Sequence, residues 1–185
     1  KFFISLEKVL SVGNVKYFQL RLKKINKRNI FKFGKKIKVI TKKYKVKLII
    51  NDNVDMAIKI KADGCHMGQQ DGSLKIARKK LKKKILGVTC HNSIQLAKHA
   101  SKCKADYLAF GSFFKSNLKP KAKKANLEVL KKAKKSFNKP IIAIGGINNQ
   151  NFNKVLNSGA KYIALSSFIW DNPNLKPEIA IKKFK

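Results

Sequence analysis

Carboxylates are the scarcest chemistry in this chain. Its 185 residues carry nine Asp and Glu against 44 Lys and Arg, a formal charge of +35 at neutral pH. Cysteine is sparse as well. Cys65, Cys90 and Cys103 form an odd set without CxxC spacing, which argues against a disulfide framework and for reduced thiols in a cytoplasmic setting. Two of them stand beside histidines, as Cys65-His66 and Cys90-His91. Neighbours on a strand face opposite sides, so only one of each pair could reach a shared zinc. They read instead as half-buried strand residues. No run approaches the roughly 18 to 20 apolar residues that a membrane span needs. The opening KFFISLEKVL is too short, and too acidic at Glu7, for a secretory signal. The missing initiator Met points to a processed or partial N-terminus.

Arginine is nearly absent too. Of the 44 basic residues only Arg21, Arg28 and Arg78 are arginine, whereas nucleic-acid readers draw on arginine for bidentate contacts. The lysines are spread along the chain, in KKIK, KKYKVK, ARKKLKKK and LKKAKKSFNK, rather than gathered in one arm. Together with abundant Asn, Ile and Phe they match AT-rich codon usage. Non-specific binding to polyanions at low salt follows from the charge; a specific nucleic-acid partner does not.

What is present is a core. Hydrophobic residues make up 44% of the chain, which excludes disorder, and no Pro/Gly/Ser linker divides it, so one domain over residues 1–185 is expected. Short apolar runs recur: FFIS (2–5), YFQLRL (17–22), VKLII (46–50), GCHM (64–67), ILGVT (85–89), YLAF (107–110), IIAIG (141–145) and YIALS (162–166). Bounded by Gly, Asn, Asp or Ser, they have the pattern of buried parallel strands. Between them lie helical stretches at 71–83, at 93–103 after a possible cap at Asn92, at 126–137, and at 148–160. Eight strands alternating with helices predict an α/β fold, a compact (β/α)₈ TIM barrel whose first helix, over 6–14, is short.

In such a barrel the working residues follow the strands. That rule collects Gln19, Arg21 and Lys23, then Asn51 and Asp52, then Gln69 and Asp71. It continues with Thr89, with Ser116 and Lys119, with Gly145-Gly146, and with Ser166-Ser167. Arg21, Lys23 and Lys119 are cations suited to an anion. Asp52 and Asp71 suit a hard cation such as Mg²⁺, which is held by one or two carboxylates plus substrate phosphates. The last strands are where many barrels bind a phosphate. Two other acids in the same stretch, Asp55 and Asp63, read as local structure: a helix first turn and the turn entering a strand. His66 reads as a core residue.

These residues resemble the thiamine phosphate synthase family. The resemblance rests on QLRLK (19–23), IINDNVDMAIKIKADGCHMGQQD (49–71), GVTCHNS (87–93), FGSFFKSNLK (110–119) and IIAIGGI (141–147), in order along nearly the whole chain. It implies a TIM barrel that joins a pyrimidine diphosphate to a thiazole phosphate and releases pyrophosphate. It further implies Gln19, Arg21, Lys23, Asn51 and Lys119 as diphosphate ligands, and Asp52 and Asp71 as Mg²⁺ ligands. Thr89 would lie near the reacting pyrimidine, and Ser116, Gly146, Ser166 and Ser167 would cradle the thiazole phosphate. Two departures stand out. Leu22 replaces the family's Glu, and GSFFKSNLK stands where GPIFPTxTK is usual, with Leu118 for the second Thr. Two rival readings remain open: a sister barrel acting as thiazole tautomerase or regulator, and a barrel serving as a basic polyanion binder. The oligomeric state is not legible.

Overall fold

The segment FFISLEKVLS, expected as a strand followed by a clipped helix, is helical from its first Phe. The computed structural model describes residues 1–115 and 124–184, and in it α1 spans Phe2–Ser11. Leu6, Val9 and Leu10 are buried, while Phe2 and Ile4 are 45% and 65% exposed. That i, i+3, i+4 spacing is one helical face, and FFIS alone is too short to separate the two periods. The strand count falls accordingly. Seven strands occur among the described residues, not eight.

The chain divides into two compact units, Lys1–Gly87 and Val88–Lys185. In the first, α1 is followed by β1 (Tyr17–Leu20), α2 (Lys27–Lys43), β2 (Lys47–Asn51), α3 (Val54–Ile60), β3 (Gly64–Met67) and α4 (Leu74–Leu81). β1 pairs with β2 and β2 with β3, all parallel. Leu48, Ile49 and Ile50 are each 2% exposed or less. A strand covered on both faces is apolar without alternation, which is how VKLII reads. Expected boundaries move. β1 ends at Leu20, before Arg21, and α4 starts at Leu74, not at Asp71.

The two acids read as structural behave so. Asp55 lies in the first turn of α3, with Lys80 Nζ at 2.8 Å. Asp63 precedes β3, accepts the Leu48 N–H at 2.8 Å and pairs with Lys38 Nζ at 2.6 Å.

β4 (Ile85–His91) carries the chain into the second unit. There follow α5 (Ile94–Lys102), β5 (Tyr107–Gly111), α6 (Glu128–Ser136), β6 (Ile141–Ile144), α7 (Phe152–Asn157), β7 (Tyr162–Ala164), α8 (Ser167–Trp170) and α9 (Pro177–Lys182). β5, β6 and β7 run parallel in that order, around Leu108, Phe110, Leu130 and Ala133, none of which is exposed. The cap of α5 is Ser93, which accepts the Leu96 N–H at 3.2 Å. Asn92, the expected cap, instead accepts the Asn126 N–H at 3.1 Å. The Cys-His pairs also differ from expectation. Cys65, His66 and Cys90 are buried rather than half-buried, and His91 is exposed at φ +50°. Among the described residues, no helix is long and apolar enough to cross a membrane.

Candidate active site

Register puts the polar residues of the first unit at one edge. Leu20 lies beside Ile50 and Ile50 beside Cys65, so the three strands end nearly level. Arg21 leaves β1 there, Asn51 and Asp52 leave β2, and Met67 leads into the loop carrying Asp71. Gln19 Nε2 donates to Asn51 Oδ1 at 2.5 Å across the first pair, which fixes the amide of each. Arg21 and Lys23 are exposed just past the strand, and both lie near enough to act on the charge of Asp52.

Asp52 is set by its backbone. Its N–H donates to the His66 carbonyl at 2.7 Å, and its φ is +65°, a left-handed conformation that Asp tolerates better than most residues. The next residue, Asn53, caps α3 by accepting the Met56 N–H at 2.8 Å. In the following loop Ser73 caps α4 in the same way, from Ile76 N–H at 3.4 Å. The ordinary reason for an Asp after a strand, capping the next helix, is thus met by other residues in both loops. Asp71 accepts the Gly68 N–H on Oδ2 at 2.6 Å and shares a side-chain hydrogen bond with Asp52.

The electrostatics follow. Burial, then the hydrogen bond to Asp71 and its charge, push the Asp52 carboxyl up to about 6, with Arg21 and Lys23 opposing them. Two neighbouring carboxyl groups offer the oxygen donors that could hold a hard divalent cation. The neighbours are chemically quiet. Burial pushes the Cys65 thiol up to about 12, helped by the charges of Asp52 and Asp71. Burial also takes His66 down to about 4, against the charge of Asp71, so its imidazole is neutral near pH 7.

The second unit has a similar edge. Gly111 lies beside Ile144 and Ile144 beside Ala164, so Ser112, Gly145-Gly146 and Ser166-Ser167 leave neighbouring strand ends. The loop after β5 presses on the glycines. Phe114 N–H donates to the Gly145 carbonyl at 3.0 Å. A Cβ on Gly146, at φ +63°, would lie 2.4 Å from the Lys115 carbonyl oxygen and 2.6 Å from that of Phe114. Only glycine fits there. Ser166 is exposed and precedes α8, which begins at Ser167. Thr89 is a half-exposed residue of β4. Ser116 and Lys119 lie outside the described residues.

Three residues that sequence reading passed over help to hold these edges. Asn53 and Ser73 relieve the two acids of capping. Asn151 donates from Nδ2 to the Gly146 carbonyl at 3.0 Å and accepts the Asn148 N–H on Oδ1 at 2.9 Å. The N-x-x-N spacing of 148 and 151 before a helical run was the available signal.

Known proteins of similar sequence and fold are found. Residues 1–169 match the family model described as thiamine monophosphate synthase. A thiamine-phosphate synthase of Pelagibacter ubique is 51% identical over 184 residues, covering 100% of this chain and 89% of that protein. One from Clostridium tetani is 41% identical over 175 residues, 92% of this chain and 83% of that one. Among solved structures, a thiamine phosphate pyrophosphorylase from Pyrococcus furiosus is similar at 30% identity and a TM-score of 0.87. The match covers 97% of this chain and 85% of that one. The fold is therefore the TIM-barrel-like α/β fold of that protein, with seven parallel strands among the described residues here.

Proposed function

The chain belongs to the thiamine monophosphate synthase family and is an enzyme of thiamine phosphate synthesis, and we propose that it condenses hydroxymethylpyrimidine diphosphate with thiazole phosphate in a Mg²⁺-dependent reaction. The observation that carries this reading is the Asp52–Asp71 hydrogen bond with Arg21 and Lys23 beside it. In so basic a chain, cations for a phosphate are easy to find. A pair of carboxylates released from capping is not.

Asp52 and Asp71 are the residues that would hold Mg²⁺, and their oxygen-only donors fit it. Bound Mg²⁺ supplies charge neutralisation to a diphosphate. Arg21 and Lys23 bind the diphosphate of the pyrimidine substrate, with Lys119 from the loop after β5 as a third cation. Gln19 and Asn51, locked to each other, orient it. Gly146, Ser116, Ser166 and Ser167 bind the phosphate of the thiazole substrate, and Thr89 lies against the reacting pyrimidine.

In the reaction the bond from the pyrimidine methylene to the diphosphate oxygen breaks, and the electron pair leaves with pyrophosphate. The thiazole ring nitrogen gives its lone pair to the methylene carbon, forming the thiazolium of thiamine phosphate. That nitrogen carries no proton, so no general base is required, in keeping with a neutral, buried His66. Negative charge grows on the departing pyrophosphate. Arg21, Lys23 and Lys119 stabilise it as it forms, while positioning supplies much of the remainder.

The test is direct. Purified chain with both substrates and Mg²⁺ is expected to release pyrophosphate and thiamine phosphate in equal amounts. Thiazole tautomerisation without condensation would overturn the reading in favour of the sister barrel. Salt-sensitive polyanion binding without turnover would favour the basic binder.

A further inference from the structure

Gly146 lies in a loop whose backbone is fixed from two sides, and one side chain does half of that. The Asn151 amide spans the segment from Gly146 to Asn148. Its Nδ2 donates to the Gly146 carbonyl at 3.0 Å and its Oδ1 accepts the Asn148 N–H at 2.9 Å. Asn148 answers with its own Oδ1, which accepts the Asn151 N–H at 3.1 Å and the Gln150 N–H at 2.9 Å. Both contacts of Asn151 are satisfied by one amide orientation only, donor to carbonyl and acceptor to N–H.

A trans peptide is planar, with C=O and N–H on opposite sides. Holding the Gly146 carbonyl toward Asn151 therefore turns the Ile147 N–H the other way. The preceding peptide is treated likewise, because the Phe114 N–H holds the Gly145 carbonyl at 3.0 Å and so turns the Gly146 N–H away from Phe114. Ile147 itself is buried at 5% exposure, which anchors the segment. The loop after β5 sets one peptide and Asn151 sets the next.

We infer that Asn151 is a positioning residue for the thiazole phosphate, acting through the Gly146–Ile147 peptide. The inference rests on the reading of Gly146 as part of that phosphate site. It differs from a merely structural role, in which Asn151 only starts α7.

Asn151→Asp separates the two roles. The carboxylate keeps an acceptor for the Asn148 N–H and suits the start of a helix, but it sets an acceptor against the Gly146 carbonyl in place of the donor. The expected result is a KM for thiazole phosphate raised about tenfold, the scale of one lost hydrogen bond with its alignment. The KM for pyrimidine diphosphate and kcat at saturation should stay unchanged. Asn151→Ala is expected to do the same and carries the test if the Asp variant does not fold. Asn148→Ala removes the reciprocal side chain at the helix start and should leave both KM values near wild type. A wild-type KM in the Asp variant, or equal rises for both substrates, overturns the role of Asn151 alone. A wild-type chain that does not condense the substrates overturns the functional reading, and this role with it.

Discussion

The carboxyl groups of Asp52, at the end of β2, and Asp71, in the loop before α4, share a hydrogen bond. Like charges this close disfavour joint ionisation, and a divalent cation relieves that cost. Millimolar Mg²⁺ should therefore raise the melting temperature of the wild-type chain near neutral pH. Asp52→Asn and Asp71→Asn should lose that rise and lower turnover about 100-fold or more. A wild-type melting curve indifferent to Mg²⁺ would count against the pair as metal ligands.

Arg21 acts on the same site from the end of β1. It opposes the burial and the Asp71 contact that lift the Asp52 carboxyl. Arg21→Ala should reduce kcat/KM for the pyrimidine diphosphate about 100-fold, with little change in KM for thiazole phosphate. Arg21→Lys should recover part of the charge but not the fork geometry. Steady-state kinetics with each substrate varied in turn will show whether the loss falls on the diphosphate.

Gly146→Ala tests the second edge. The added Cβ would meet backbone oxygens of Phe114 and Lys115 at 2.6 and 2.4 Å, at a φ of +63°. Carbonyl oxygens of a packed loop yield little, and the conformation itself costs about 1 to 3 kcal/mol for a non-glycine residue. Lower stability in urea and a raised KM for thiazole phosphate are expected together. An alanine variant with wild-type stability and kinetics would show that the loop moves aside freely.

The Asp63 ion pair gives a pH dependence unrelated to catalysis. Burial alone would raise its carboxyl, but the Lys38 hydrogen bond, the Leu48 N–H and the Lys38 and Lys47 charges hold it below the usual range. A lowered folded pKa means that the unfolded chain takes up the proton first as pH falls. The stabilisation is thus complete above the ordinary Asp value, near 4, and is lost as pH drops through the folded value. Asp63→Asn should cost about 1 to 3 kcal/mol at neutral pH and less as pH falls below the ordinary Asp value. Urea midpoints measured across that range would refute the pairing if the two proteins stayed equally far apart.

The thiols should be inert in the folded chain. Burial pushes Cys65 and Cys90 up to about 12, which leaves about one thiolate in ten thousand at pH 8. Cys103 is 6% exposed. A disulfide reagent should label all three only at the rate of unfolding, and rapid labelling of Cys65 or Cys90 in native buffer would contradict their burial.

Much of this was legible in the residues. Most of VKLII and all of GCHM, YLAF and IIAI lie in strands, because buried parallel strands have continuous apolar runs. Asp52, Asp71 and Arg21 are singled out by the rule that working residues follow strand ends, and the strand register brings them to one edge. FFIS reads as a strand because so short a run, three apolar residues and a Ser, fits either period, and only the burial of Leu6, Val9 and Leu10 decides for a helix. The cap of α5 fell to Ser93, one residue after Asn92, because Asn92 is occupied by the Asn126 N–H.

The sequence by itself determined composition, the strand pattern and the identity of the polar residues that leave each strand, since these depend on neighbours along the chain. Only the tertiary structure decided that Asp52 faces Asp71 while Asp55 and Asp63 face lysines. That choice depends on β2–β3 register, on the left-handed turn at Asp52 and on which residues cap α3 and α4. Likewise the amide of Asn151 gained its partner at Gly146 only when the loop folded back upon itself. Contacts across strands and loops are set by packing, and packing is not written in any one segment.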